Sequence, residues 1–437
     1  MIDRLQGRLR VSRTAASDAL VGFVFLFLTI AGHVLVETAR DTLFLSDLAA
    51  AELPRAYFAI AVLALGVTWL SRRAALVLPR RRVLASTSLF GALVTALFWW
   101  WTAEPRPQVV FALYVWAGLL ATAVTVQFWV VLGDRMAPRS AKRSFAFVAM
   151  GGLLGGVAGA VLAGALVTEI AARDLLLVGA GLFAGAACVP EGLSRLPQGA
   201  LTAIRRQMRR RPTRDAFRDR YVRSLLALAL LTAIATTGID YLFKSMAQSA
   251  VPKESLAAFF ARFYAVVNLL ALLIQLVATR PLLQLFGPGG TLAALPSIGV
   301  VGAALSGLVA GIVPAAVLKG ADGVLRHSLH RTSTEILFVP LSGGVRDPAR
   351  ALSGSLGHRG GQALGSLLIL GALALALDAT QVAIALSLLC LLWVLGVRRV
   401  REQYGARLAR RSGGDARRSF ARHGSRASER PSEPGLR

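Results

Sequence analysis

The chain has 437 residues, of which 55% are hydrophobic and 16% are charged, and its mean hydropathy is +0.60. These values exclude an ordinary soluble globular protein and indicate a chain that lies in a lipid bilayer. The 49 basic and 23 acidic side chains give a formal net charge of +26. Cys188 and Cys390 both fall in apolar runs, so neither a disulfide framework nor a metal cluster is expected.

Twelve apolar runs have the length of a membrane helix, since a bilayer core about 30 Å thick requires roughly 20 helical residues. In chain order they are 19–43, 54–71, 83–101, 108–132, 145–170, 173–190, 223–246, 256–279, 290–311, 312–330, 358–377 and 379–397. The split between the ninth and tenth runs rests on residues 311–314, which contain Gly311 and Pro314, and Pro281 falls between the eighth and ninth. The sequence predicts an all-α integral membrane protein with twelve transmembrane helices.

The basic residues predict the orientation, because loops rich in Lys and Arg stay in the cytoplasm. Most of them lie at the N-terminus, after even-numbered runs or in the C-terminal tail, which predicts an inner-membrane protein with both termini cytoplasmic. The exceptions, on the outer side or within runs, are Arg40, Arg55, Arg106, Arg173, Lys244, Lys253, Arg262 and Lys319. No aromatic platform for bases accompanies the basic clusters, so no nucleic-acid partner is expected.

The runs divide into two sets of six. We predict a cytoplasmic N-terminus (1–18), an N-terminal six-helix bundle (19–193), a basic cytoplasmic linker (194–222), a C-terminal six-helix bundle (223–397) and a basic, disordered cytoplasmic tail (398–437). Two six-helix halves in one chain are the plan of the major facilitator transporters, whose substrate site lies near the bilayer midplane.

Ionisable residues inside the runs carry the functional signal, since a charge in hydrocarbon costs at least about 2.5 to 3.5 kcal/mol. At helical steps of three and four they are His33, Glu37, Arg40 and Asp41 in the first run, Asp240 and Lys244 in the seventh, and Lys319, Asp322, Arg326 and His330 in the tenth. One interpretation is a set of internal salt bridges. The other is a cationic cavity for an anionic substrate, because the spans taken together contribute several cations that are not obviously neutralised.

Glycine motifs and nucleotide-binding motifs bear on helix packing and on whether the protein is an enzyme. Residues 151–159 contain overlapping small-xxx-small spacings, which favour close packing of membrane helices. No Walker A sequence, dinucleotide-binding glycine motif or nucleophile, histidine and acid set stands out, so neither an enzyme nor a cofactor is expected.

Four stretches resemble the plastid and bacterial ATP/ADP translocases. They are Glu-Thr-Ala-Arg-Asp-Thr-Leu at 37–43, the Phe128, Trp129, Gly133, Asp134 and 141–143 connection, Asp-Tyr-Leu-Phe-Lys at 240–244, and the run 328–341 with its Glu335 and Pro340. The resemblance implies a major-facilitator-like carrier that exchanges nucleotides. By position, Arg40 replaces a functional lysine of that family, Asp240 replaces a glutamate, and Lys244 matches a lysine.

The sequence departs from that family at two places. The fourth run has no acidic residue where the translocases carry one. In the eleventh run Gln362 stands where they have a functional lysine, with Arg359 one helical turn earlier.

The leading hypothesis is therefore an ATP/ADP-type antiporter with a cationic central cavity. Its expected substrate-binding residues are Arg40, Lys244, Lys319 and Arg359 for phosphates, with Asp240, Glu37 and Asp322 to orient or neutralise them. Two alternatives are a carrier of another organic or phosphorylated anion and a non-transporting membrane scaffold. The hypothesis requires that Arg40 and Lys244 face an open passage and are not locked by acids.

Overall fold

The computed structural model describes residues 2–104, 106–135, 141–194, 213–309 and 311–427, and all regular structure within these ranges is helical. Six helices form the N-terminal half, and we number them spans 1 to 6. They are Ile2–Asp47, Leu53–Val77, Arg80–Trp101, Pro107–Gly133, Ala141–Leu166 and Leu175–Cys188. Short 3-10 turns at Ala50–Glu52, Ala172–Asp174 and Val189–Gly192 lie beside spans 1, 2 and 6.

Spans 7 to 9 begin the C-terminal half. A short helix, Thr213–Arg218, precedes span 7, Arg220–Ala250. Spans 8 and 9 run through Leu256–Leu273, a π-helical turn at Ile274–Ala278 and the helix Thr279–Leu308. That helix is broken at Gly287, whose φ of 65° and ψ of 174° suit only glycine. The boundary between the two spans is therefore Gly287, inside the predicted gap of residues 280–289, whereas Pro281 is accommodated in the helical turn that follows the π-helical segment.

Spans 10 and 11 are each divided by a π-helical segment. Span 10 consists of Val313–Leu325, the π-helical turn Arg326–His330 and Arg331–Leu337, and span 11 of Gly343–Leu352, the π-helical turn Ser353–Arg359 and Gly360–Ala374. The predicted split before span 10 coincides with Gly311, at φ 103°, and with Pro314 in the first helical turn. Such π-helical segments frequently mark functional sites in membrane and soluble helices.

Hydropathy assigns these helices to a membrane. In the described residues, nine helical stretches are long and apolar enough to cross a bilayer, and one of them, Lys253–Leu308, contains both spans 8 and 9. Spans 10 and 11 complete the set of twelve; their α-helical pieces are individually short because of the π-helical turns. The predicted fold class, an all-α membrane protein with two six-helix halves, is confirmed.

Span 12 is the helix Ala379–Ala427, which continues past residue 397, where the predicted apolar run ends. The first turns beyond the apolar run are held against the C-terminal half: Val400 is buried in its core, and Arg407 binds Asp219 and lies over the ring of Tyr221. Burial raises the pKa of the Asp219 carboxyl, but hydrogen bonds from the Arg407 side chain and the Tyr221 amide outweigh it, and the pKa is lowered. Residues 428–437 and most of the predicted linker, 195–212, lie outside the described residues.

Two of the three apolar cores lie mainly within one half each. One joins spans 1, 3, 4, 5 and 6 and includes Ala261 of span 8, and another joins span 7 with spans 9 to 12. The third contains residues of both halves and lies at the end of the bundle away from the chain termini. We call this end the distal face and the opposite end the proximal face. The predicted cytoplasmic side is the proximal face.

The predicted glycine packing is confirmed. A Cβ atom added to Gly151, Gly155 or Gly159 of span 5 would lie 2.3 to 2.5 Å from a backbone carbonyl oxygen of span 1. Spans 1 and 5 are therefore in backbone contact, an approach that only residues without a side chain permit.

Candidate functional site

The last turns of span 1 place three charged side chains together near the distal end. The guanidinium of Arg40 lies 3.1 Å from Glu37 and 3.2 Å from Asp41. It also lies 4.7 Å from the centre of the Tyr114 ring in span 4, a cation–π contact. Arg40 thus has two acids and an aromatic face as partners within its own half.

Lys244 of span 7 carries the contact between the halves. Its ammonium lies 3.1 Å from Asp41 of span 1 and 3.1 Å from Asp240, one turn earlier in its own helix. It also donates a hydrogen bond of 2.7 Å to the hydroxyl of Tyr114. Asp41 accepts a further hydrogen bond from the hydroxyl of Tyr264 in span 8. The Lys244 ammonium thus donates hydrogen bonds to Asp41 and Tyr114 and forms an ion pair with Asp240 as well.

Asp240 continues the series toward span 10. Its carboxylate accepts a hydrogen bond of 2.6 Å from the hydroxyl of Tyr57 in span 2 and lies 2.6 Å from the ammonium of Lys319. Lys319 is 3.6 Å from Asp322, which in turn lies 2.6 Å from Arg326. Asp240 therefore contacts both halves of the molecule.

These contacts form one ionic chain, which consists of Glu37, Arg40, Asp41, Lys244, Asp240, Lys319, Asp322 and Arg326. Its four acids and four bases cancel formally. Buried charges of this kind persist in a low-dielectric interior only when they are paired and hydrogen-bonded. The internal salt bridges of the first interpretation are therefore present for Arg40, Lys244 and Lys319.

Exposure along the ionic chain is uneven. The side chains of Asp41 and Lys244 in its middle are 0% and 2% exposed, whereas those of Glu37 and Arg326 at its ends are 27% and 30% exposed. The middle is sealed between the halves, and the ends are partly exposed. The open passage that the sequence hypothesis requires is thus not found at Lys244.

The distal face is closed above the ionic chain. The joint apolar core contains Phe44 and Tyr114 from the N-terminal half and Phe243 and Phe260 from the C-terminal half. Gln248 of span 7 adds three hydrogen bonds across the interface: its amide donates to the carbonyls of Leu45 and Leu48, and its side-chain oxygen accepts from the Ala50 amide. The contacts between the halves are therefore both apolar and polar at this face.

Arg359 of span 11 is the one predicted site residue outside the ionic chain. It donates hydrogen bonds to the side-chain oxygen of Gln362, at 2.8 Å, and to the hydroxyl of Thr122 in span 4. Among the described residues, no carboxylate lies within 4 Å of its guanidinium. Arg359 is thus a cation that bridges the two halves on neutral partners only.

Span 4 presents three neutral side chains to cations of the C-terminal half. Tyr114 accepts from Lys244, Thr122 accepts from Arg359, and the ring of Trp129 lies 5.6 Å from the guanidinium of Arg331. The steps of eight and seven residues place these three on one side of the helix, from the distal to the proximal end. The fourth run contains no acidic residue, so the partners that span 4 offers to these three cations are all neutral.

The sequence predicts most residues of the ionic chain as site residues, but not all of the residues that contact it. Glu37, Arg40, Asp240, Lys244, Lys319 and Asp322 all belong to the ionic chain. Asp41 lies on the same helical face as Glu37 but is not among the expected substrate-binding residues. Its four-residue spacing from Glu37 is the feature of the sequence that indicates its place in the site. Nothing in the sequence pointed to Tyr57, Tyr114 and Tyr264, since these tyrosines act on groups of other helices.

No family model matches the sequence, and a comparison with curated proteins found no match. Solved structures of similar shape do exist. A crystal structure of the nucleoside transporter NupG superposes with a TM-score of 0.62 and 13% identity over 89% of this chain and 98% of that one, and a point variant of the same transporter gives 0.63. The chain has the major-facilitator fold. A POT family transporter in complex with a thioalcohol-conjugated peptide gives 0.60 and 12% over 88% and 96%.

These identities support the fold alone. The neighbours named here are a nucleoside transporter and POT family transporters. The similarity of the motifs at 37–43 and 240–244 to the nucleotide translocases stays a resemblance of sequence.

Proposed function

We propose that the protein is an alternating-access membrane carrier of a small organic anion, with nucleotides as the first candidate substrates. The observation that carries the proposal is Arg359, a cation that reaches from span 11 to Thr122 of span 4 without an acidic partner among the described residues. A guanidinium in a low-dielectric interior gains most from an anion that accepts two of its hydrogen bonds at once.

The ionic chain takes a different role in this proposal from the one the sequence suggested. Since Arg40, Lys244 and Lys319 are neutralised by acids, a phosphate would have to displace carboxylates to reach them. We assign these residues, with Glu37, Asp240 and Asp322, to closing the distal side between transport steps. Cargo binding is assigned to Arg359 and Arg331.

Trp129 gives the nucleotide hypothesis a physical basis. The ring is partly buried and Arg331 is exposed, so the guanidinium covers an aromatic face from the other half of the protein. A base can occupy the same face by stacking, with Arg331 released to the phosphates. A carboxylate or a phosphorylated sugar has no aromatic base to stack on the ring, and this difference separates the two classes of substrate.

The test is uptake of radiolabelled ATP by the full-length protein in proteoliposomes loaded with ADP. We expect saturable uptake that unlabelled ADP competes and citrate or glucose 6-phosphate does not. Loss of a hydrogen-bonded charge is worth about 1.5 to 3 kcal/mol, so Arg359→Gln is expected to reduce uptake by roughly 10- to 150-fold. Arg359→Lys retains the charge and is expected to retain part of the uptake.

Arg55→Gln is the matched control, because Arg55 is exposed and pairs only with Glu52 among the described residues of the distal face. Its uptake is expected to equal that of the unmodified protein. Uptake that carboxylates or sugar phosphates compete and nucleotides do not would reject nucleotides and retain an anion carrier. Absence of saturable uptake for every anion tested would reject the carrier.

A further inference from the structure

A groove on span 8 lies outside the central site. It has a volume of about 520 Å³ and is lined by Val251, Ser255, Ala258, Phe259, Arg262, Phe263 and Val266. Apart from Val251, these residues recur at steps of three and four along one helical face. The volume is within the range of about 300 to 1,000 Å³ that is usual for small-molecule sites.

The exposed part of this face, at Arg262 and Val266, points away from the interface between the halves, whereas Phe259 and Phe263 pack against Phe243. Tyr264, two residues after Arg262, reaches Asp41 in the ionic chain, and two helical residues are separated by about 200° around the axis. Arg262 is exposed, and so is Val266 at 57%. The groove therefore opens toward the surrounding lipid.

Arg262 lies unusually deep for an exposed cation. It follows the start of the helix at Leu256 by six residues, which is about 9 Å along the axis. Among the described residues, no carboxylate is within 4 Å of its guanidinium. A charge inside hydrocarbon costs at least about 2.5 to 3.5 kcal/mol unless it reaches the interface or meets a counter-ion.

We propose that this groove binds a phospholipid, with the lipid phosphate on Arg262 and an acyl chain along Phe259, Phe263 and Val266. The side chain of Arg262 is long enough to reach toward the distal interface, where lipid phosphates lie. Its planar fork engages two phosphate oxygens. The apolar wall continues from Arg262 toward the bilayer centre, the direction that an acyl chain takes.

The experiment uses the full-length protein in phosphatidylglycerol liposomes that contain a phosphatidylglycerol with a photoreactive diazirine in its acyl chain. After illumination, mass spectrometry of the peptides locates the cross-links. We expect labelling of residues 259–266 in excess of the exposed face of span 3 around Leu89 and Leu93, and a several-fold decrease in Arg262→Gln. Arg262→Lys is expected to retain most of it, and Arg55→Gln all of it.

A second probe isolates the phosphate. A diacylglycerol with the same photoreactive chain but no phosphate is expected to label residues 259–266 several-fold less than the phospholipid does. Equal labelling by both probes, or equal labelling in Arg262→Gln and the unmodified protein, would overturn the proposal. Protein–protein cross-links through span 8 would also overturn it, since a second copy of the chain would then occupy the groove.

Discussion

The ammonium of Lys244 lies 3.1 Å from a carboxylate oxygen of Asp41, and each residue is six positions before the end of the first span of its half. Corresponding positions of the two halves thus carry opposite charges and meet at the interface. Each also has a partner inside its own half, Arg40 for Asp41 and Asp240 for Lys244. The contact between the halves can therefore break while each charge keeps an oppositely charged partner.

The first prediction concerns removal of one member of this pair. Lys244→Met leaves two carboxylates in a buried site, and breaking a buried pair in this way costs about 3 to 5 kcal/mol; we expect the low end, since Arg40 and Lys319 remain. Asp41→Asn combined with Lys244→Met is expected to recover at least half of the loss. Unfolding of the purified protein in detergent measures both.

Lys253→Met is the matched control, because Lys253 is exposed at the distal face, and it is expected to leave the unfolding transition unchanged. If the double variant is as unstable as the sum of the two single variants, Asp41 and Lys244 do not stabilise each other and the ionic chain has no energetic link between the halves.

The second prediction concerns the distal seal. Gln248→Ala removes three hydrogen bonds between the halves. A decrease of about 1 to 3 kcal/mol in the free energy that favours the closed distal face corresponds to a roughly 5- to 150-fold larger open population. The rate at which a maleimide labels Ala50→Cys, in a protein that also carries Cys188→Ser, reports this population because Ala50 is only 5% exposed. We expect faster labelling.

Gln381→Ala tests whether any distal glutamine has this effect. Gln381 is exposed and exchanges hydrogen bonds with Asp378, in the same turn of the C-terminal half. In the protein with Ala50→Cys and Cys188→Ser, the maleimide labelling rate is expected to be the same with and without Gln381→Ala. An equal rate in Gln248→Ala would mean that the apolar core alone keeps the distal face closed.

The third prediction concerns the contact of spans 1 and 5. A methyl group on Gly155 would lie 2.3 Å from the carbonyl oxygen of Phe27, so one backbone must move. Overpacking of this kind costs about 1 to 3 kcal/mol, and Gly155→Ala is expected to lower the melting temperature accordingly. Gly164→Ala, in the same helix with open space around it, is expected to have no destabilising effect.

The sequence predicts the helices well because the thickness of the bilayer imposes their length. It also predicts contacts within one helix, such as Asp240 with Lys244 and Asp322 with Arg326, because a step of four residues fixes them. It does not predict that Lys319 meets Asp240, since that pair joins two helices whose relative positions depend on packing.

The same limit applies to the sharing of carboxylates between helices. In space Asp41 pairs with both Arg40 and Lys244, and Asp240 pairs with both Lys244 and Lys319. One carboxylate shared by two cations is not visible in a linear sequence. Arg359 differs because its own helix contains no acid in reach, and its prediction as a cation for cargo stays a prediction.

The last prediction distinguishes a carrier from a scaffold that acts through its basic tail. Removal of residues 410–437 leaves Val400, Tyr404 and Arg407 in contact with the C-terminal half, so a carrier is expected to retain uptake and stability. Removal from residue 398 onward also deletes these contacts and is expected to lower the melting temperature. Arg407→Gln in the full chain separates the ion pair with Asp219 from the apolar contacts and is expected to have the smaller effect, because both of its charges are partly exposed. Loss of uptake in the shorter truncation, with an unchanged melting temperature, would contradict the carrier and favour a function that resides in the tail.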